Sequence, residues 1–117
     1  MSKQSAQWQE VPLEHLSAWD KIFAANKEGM NLSEPCPICG NRKLHRYYNI
    51  GKPADSIIQG NRFVADGELW EWCSFCRSYL HLSALVPEWW SDPHLKDKIQ
   101  LTHQPEALNQ AIQQATP

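Results

Sequence analysis

The chain has 117 residues, formal charge −2, 42% hydrophobic residues and only four cysteines. That length suits one small domain with a thin core, which benefits from a metal or another covalent staple. It contains no stretch of about 18 apolar residues, so no transmembrane helix is expected, and the near-neutral balance excludes a strongly basic nucleic-acid binder.

In chain order, residues 12–29 read as a helix with its stop. Leu13, Leu16, Trp19, Ile22 and Phe23 recur at mostly three- and four-residue steps, giving one apolar stripe. Pro12 suits the first turn and Gly29 a C-terminal stop.

Two Cys-x-x-Cys pairs follow, Cys36-Pro37-Ile38-Cys39 and Cys73-Ser74-Phe75-Cys76. Two residues between cysteines let a tight turn aim both sulfurs at one point, and two such pairs complete a tetrahedral Zn²⁺ site. Trp72-Cys73-Ser74-Phe75-Cys76 also looks like a thioredoxin-type motif. However, Arg77-Ser78-Tyr79 does not open the amphipathic helix that a low-pKa thiolate needs. Pro35-Cys36-x-x-Cys39 matches half of a zinc deaminase signature; the His-x-Glu half is missing. Met1–Ser5 carries no signal-peptide pattern, so reduced thiols and a cytoplasmic location are expected rather than disulfides. One structural zinc on Cys36, Cys39, Cys73 and Cys76 is the expected cofactor. Four thiolates leave no position open for water, so the ion is read as structural rather than catalytic. His81 is read as a strand residue beside the site, not a ligand.

Between the pairs, Leu44–Ile50, Arg62–Ala65 and Glu68–Trp72 read as strands, with turns at Gly51–Asp55 and a hairpin at Asp66-Gly67. Tyr79–Leu82 adds a strand after the second pair. Residues 36–82, with these four cysteines as ligands, resemble the zinc-ribbon family. The resemblance implies a small antiparallel sheet, and the fold class expected is α+β, one domain over residues 1–117. The extension 86–117 is expected to be helical, with His94–Ile99 after Ser91-Asp92-Pro93, and a second helix from Pro105-Glu106 with Ala107, Leu108, Ala111, Ile112 and Ala115 on one side.

Function is less constrained. No Gly-rich phosphate loop, nucleophile elbow or His-Glu-x-x-His occurs, so no catalytic residues and no small-molecule substrate are expected. Residues 36–80 carry six basic against four acidic groups, while 1–35 and 81–117 are acidic. Six tryptophans are many for this length. Trp19 and one of Trp70 or Trp72 are expected in the core, and at least one of the adjacent Trp89 and Trp90 is expected to be partly exposed. Trp70, Trp89 and Trp90 with Glu68, Glu71, Glu88 and Asp92 are the expected partner-binding residues. This profile, with Trp70-x-Trp72-Cys73-Ser74-x-Cys76 followed by Tyr79, His81 and Val86-Pro87-x-Trp89-Trp90, is similar to small cytoplasmic immunity proteins of bacterial polymorphic toxin systems, including the Rhs type. That similarity implies a basic protein partner, such as a toxin domain. The alternative is a nucleic-acid-associated zinc ribbon using Arg42, Lys43 and Arg46 with Tyr47 and Tyr48 as a single-strand platform.

Overall fold

The computed structural model describes residues 7–90 and 101–115. The elements run β1 (Gln9–Glu10), α1 (Leu13–Ala25), β2 (Leu44–Ile58), β3 (Asn61–Cys73), β4 (Ser78–Pro87) and α2 (Glu106–Ala115). The result is an α+β architecture built on one four-stranded sheet in the order β1-β4-β3-β2. The expected helix over His94–Ile99 lies outside the described residues.

The sheet is mixed rather than wholly antiparallel, because β1 runs parallel to β4 through Gln9↔Ser78 and Glu10↔Tyr79. Two backbone bonds fasten this short strand, Gln9 N to Arg77 O at 2.9 Å and Val11 N to Tyr79 O at 3.1 Å. They deliver Val11 into the core just before α1 begins. A two-residue strand is too short to leave a period-2 signature in sequence.

Helix α1 ends at Ala25, four residues before Gly29, because another group takes its C-terminal carbonyls. The guanidinium of Arg46, buried on β2, donates to Phe23 O at 2.8 Å, to Gly29 O at 3.2 Å and to Asn26 O. A cation against the negative end of the helix dipole replaces a glycine stop. Gly29, at φ 90°, belongs to the following loop. The apolar stripe is shorter than its sequence pattern: Trp19 and Phe23 are buried, whereas Leu13 is 84% exposed.

The hairpin also differs. Strand β3 runs unbroken through Asp66-Gly67, and β2 and β3 turn at Gln59-Gly60 between the paired Ile58 and Asn61. Both turn residues have positive φ (51° and 81°), the conformation that matches the twist of a two-residue hairpin. Gly67 serves close approach instead. A Cβ there would lie 2.0 Å from Asn49 O and 2.9 Å from Val86 Cγ2. The turn expected over Gly51–Asp55 is absorbed into β2 as register irregularities around Pro53, tolerated because β2 is an edge strand.

Alternation along the strands creates two faces. On one, Leu44 and Cys73 pack with Trp19 and Phe23 of α1. On the other, Trp70, Trp72 and Tyr79 pack against Leu108 of α2. Three indole N–H groups fasten that second layer: Trp72 to Asn109 Oδ1 (3.0 Å), Trp70 to Thr102 O (2.9 Å) and Trp8 to Glu106 Oε1 (2.6 Å). A third cluster of Tyr48, Ala65, Leu69, Val86 and Trp90 fills the sheet farther along the strands. No helix among the described residues is long and apolar enough to cross a membrane.

Candidate metal centre

The four cysteines converge. Cys36 and Cys39 lie in the loop that leads from α1 to β2. Cys73 closes β3, and Cys76 lies in the turn before β4. Both pairs use the same local fold. Gly40 N donates to Cys36 O at 2.8 Å, and Arg77 N donates to Cys73 O at 2.9 Å. The residue after each second cysteine is left-handed, Gly40 at φ 81° and Arg77 at φ 61°. The first position is free for glycine. At the second, the strain of a side chain is offset by Arg77's ion pair to Glu106 (3.1 Å) and its guanidinium 4.9 Å from the Trp8 ring.

All four Sγ atoms lie within 4.8 Å of one another. Cys36 and Cys76 sulfurs are 3.8 Å apart, and those of Cys39 and Cys73 are 3.7 Å apart. Sulfurs held about 2.3 Å from one tetrahedral ion are separated by about 3.8 Å. The cluster is therefore compact enough to hold one metal ion on four thiolates. Cys36 and Cys73 are buried beside Trp19, Leu32 and Leu44, while Cys39 and Cys76 are half-buried. Burial pushes the Cys36 thiol up to about 11 and raises the Cys73 thiol as well. Burial also raises Cys39, but hydrogen bonds from the Asn41 side chain and backbone and from Cys73 bring it down to about 7. Buried thiols that resist ionisation on their own become thiolates when a cation shares the site. Such an ion would cross-link the loop after α1 to the β3–β4 turn. His81 has no place in this shell, since it stacks on Trp70 on the opposite face of the sheet (centroids 4.3 Å, 11°).

The expected partner-binding residues divide. Trp70, Glu71 and Trp90 are interior, with relative exposures of 1%, 6% and 7%. The reason is the pleat: Trp70 shares the α2 face with Trp72, and Glu71 points the other way, under α1, where its carboxylate accepts from Trp19 Nε1 at 3.0 Å. Both tryptophans of the Trp70/Trp72 pair are core, not one. Trp89 is half-buried, with the Arg46 guanidinium 4.8 Å from its ring. Glu68 and Glu88 are exposed, and Asp92 lies outside the described residues. Of the Arg42–Lys43–Arg46 patch and its tyrosines, Arg42 and Lys43 are exposed, whereas Arg46 caps α1 and Tyr48 belongs to the core.

Sequence reasoning missed a cleft of about 430 Å³ beside the second pair, whose lining includes Asn31, Arg42, Lys43, His45, Ser74 and Asn109. His45 Nδ1 lies 2.7 Å from Asn31 Oδ1, and Nε2 lies 3.1 Å from Ser74 Oγ. With Nδ1 protonated, the ring donates to Asn31 and accepts from Ser74. Hydroxyl, imidazole and amide in that order match a nucleophile, its base and its orienter. Burial, then Lys43, hold His45 down to about 4, so the ring is neutral at rest near pH 7. These bonds also tie the second pair to β2 and to the strand-like bridge at Asn31.

No protein-family model, curated protein or solved structure matches this chain, so the residues alone carry the functional reading.

Proposed function

We propose that the chain is a non-catalytic protein-binding module, stiffened by one structural zinc in a ribbon-like setting, that inhibits a basic protein partner in the manner of an immunity protein. The observation that carries this reading is the exposed end of the β2–β3 hairpin. Ile50, Ile57, Ile58 and Val64 are all exposed there. Ile57 pairs with Arg62, and Val64 stands at the β3 irregularity between Phe63 and Ala65, so both lie at the same end of the hairpin. The outer edge of β2 along this stretch has no neighbouring strand among the described residues. An open edge with aliphatic side chains suits strand addition by a partner. Around it, exposed Asp55, Asp66, Glu68 and Glu88 outnumber exposed Lys52 and Arg62, which suits a basic one.

Affinity capture of the zinc-loaded protein from its own cells, with and without nuclease, followed by reconstitution with the purified partner, tests the proposal. A nuclease-resistant stoichiometric partner should lose at least about tenfold in affinity to the Ile57→Asp, Val64→Asp double variant, roughly 1.4 kcal/mol, while zinc content is retained. Capture that collapses with nuclease, or binding indifferent to both substitutions, would overturn it.

A further inference from the structure

The α2 face of the sheet carries a second cluster of groups able to ligate a metal, separate from the cysteine centre. His81 on β4 and His103, just before α2, present their Nδ1 atoms to each other at 3.3 Å, with ring planes 77° apart. Two imidazole nitrogens bound about 2.0–2.1 Å from one tetrahedral ion stand about 3.3–3.4 Å apart. Each ring has a carboxylate behind it. Glu68 Oε1 lies 3.5 Å from His81 Nε2, and Glu10 Oε2 lies 3.7 Å from His103 Nε2. A histidine that ligates a metal through one nitrogen turns its other N–H toward a carboxylate, which fixes the tautomer and raises ligand basicity.

The rings are also held in place before any ion arrives. His81 stacks on Trp70, and Tyr79 meets the His103 ring edge-on at 5.5 Å. The Trp70 indole N–H donates to Thr102 O, which anchors the backbone next to His103. His103 and both carboxylates remain open to solvent, so an ion has a route in. Four separate strands and segments therefore contribute to one carboxylate–histidine–histidine–carboxylate line.

We propose that His81 and His103 form an open site for a divalent transition ion of the zinc, nickel or copper class, with Glu68 and Glu10 orienting the two rings. Imidazole nitrogen favours these ions over magnesium and calcium. Two protein ligands leave the remaining positions to water or to a donor from another molecule, in contrast to the closed cysteine centre. The two carboxylates offset the charge of the incoming ion.

The test uses untagged full-length protein whose cysteine centre already holds one equivalent of zinc, titrated with further Zn²⁺ by equilibrium dialysis. A second saturable equivalent is expected, and both His103→Gln and His81→Gln should weaken it at least about tenfold, leaving the first equivalent in place. Magnesium should not compete. Imidazole nitrogen NMR should show Nδ1 of both residues shifting on Zn²⁺ addition, with Nε2 carrying the proton. One equivalent only, with the histidine nitrogens unmoved, would leave the pair as a simple N–H···N hydrogen bond and overturn the proposal. A second equivalent that survives the double His→Gln variant would overturn it as well.

Discussion

Glu71 and His45 are buried on opposite faces of the sheet, and their burial links stability to pH in opposite senses. Burial pushes Glu71 up to about 7 from an ordinary value of 4.5, against the hydrogen bond from Trp19. The protonated form therefore stabilises the fold fully below about 4.5, and that stability is lost as pH rises through 7. His45 is depressed to about 4, so its neutral form stabilises above 6.5 and that contribution is lost as pH falls toward 4. Between 4.5 and 6.5 the two slopes oppose each other. Glu71→Gln should remove one of them. From pH 5.5 to 8, the stability of the zinc-saturated variant should rise relative to wild type by about 2 kcal/mol, and the variant should weaken on acidification where wild type holds level. Urea unfolding of both proteins at the two pH values measures this; a constant difference between them would refute it. The sequence marked neither group as buried: Glu71 read as a partner-binding acid, and His45 carried no reading of its own. The cysteines did stand out, because metal coordination dictates spacing within a few residues. Burial of Glu71 depends instead on a tryptophan 52 positions away.

At the level of elements, helix periodicity survived translation into structure and turn chemistry did not. Helix α2 begins at Glu106 as Pro105-Glu106 indicated, and its Leu108 is buried. In the β region the turn falls at a different glycine from the one its neighbours suggested. Asp66-Gly67 carries the stronger hairpin signal, but it is flanked by strand on both sides and paired with Ala84 of β4, so the local preference yields to the sheet. Gly60 makes the turn. Substitution separates these roles. Gly60→Ala meets open space and only the cost of a left-handed side chain, about 1 kcal/mol. Gly67→Ala drives a Cβ into Asn49 O and should cost roughly 3 kcal/mol or prevent folding. Denaturant midpoints of the two zinc-loaded variants give the comparison, and equal losses would contradict the close-approach role of Gly67.

At the scale of the molecule, apolar packing among the described residues divides into three clusters on a four-stranded sheet, and the cysteines belong to just one of them. Cys36 and Cys73 lie in the same cluster as Trp19 and Phe23, so the metal centre and the α1 layer share a core. The α2 layer is held by indole hydrogen bonds and contains no cysteine. This separation was not legible in sequence, since spacing identifies ligands but not the face on which each element packs. It has a consequence for metal removal. A site that exists only in the folded chain returns its binding free energy as stability, about 10 kcal/mol or more for structural zinc, and that stability acts first where the ligands are. Chelation, or Cys73→Ser, should abolish the cooperative transition of the intact protein. Amide protection should fall first in α1 and residues 32–44, while Trp70, Trp72 and α2 retain more of theirs at low denaturant. Hydrogen exchange read by residue, with and without chelator, distinguishes this from uniform loss. Protection lost equally on both faces would mean that the two layers unfold as one unit, and an unchanged midpoint would remove the structural role of the metal altogether.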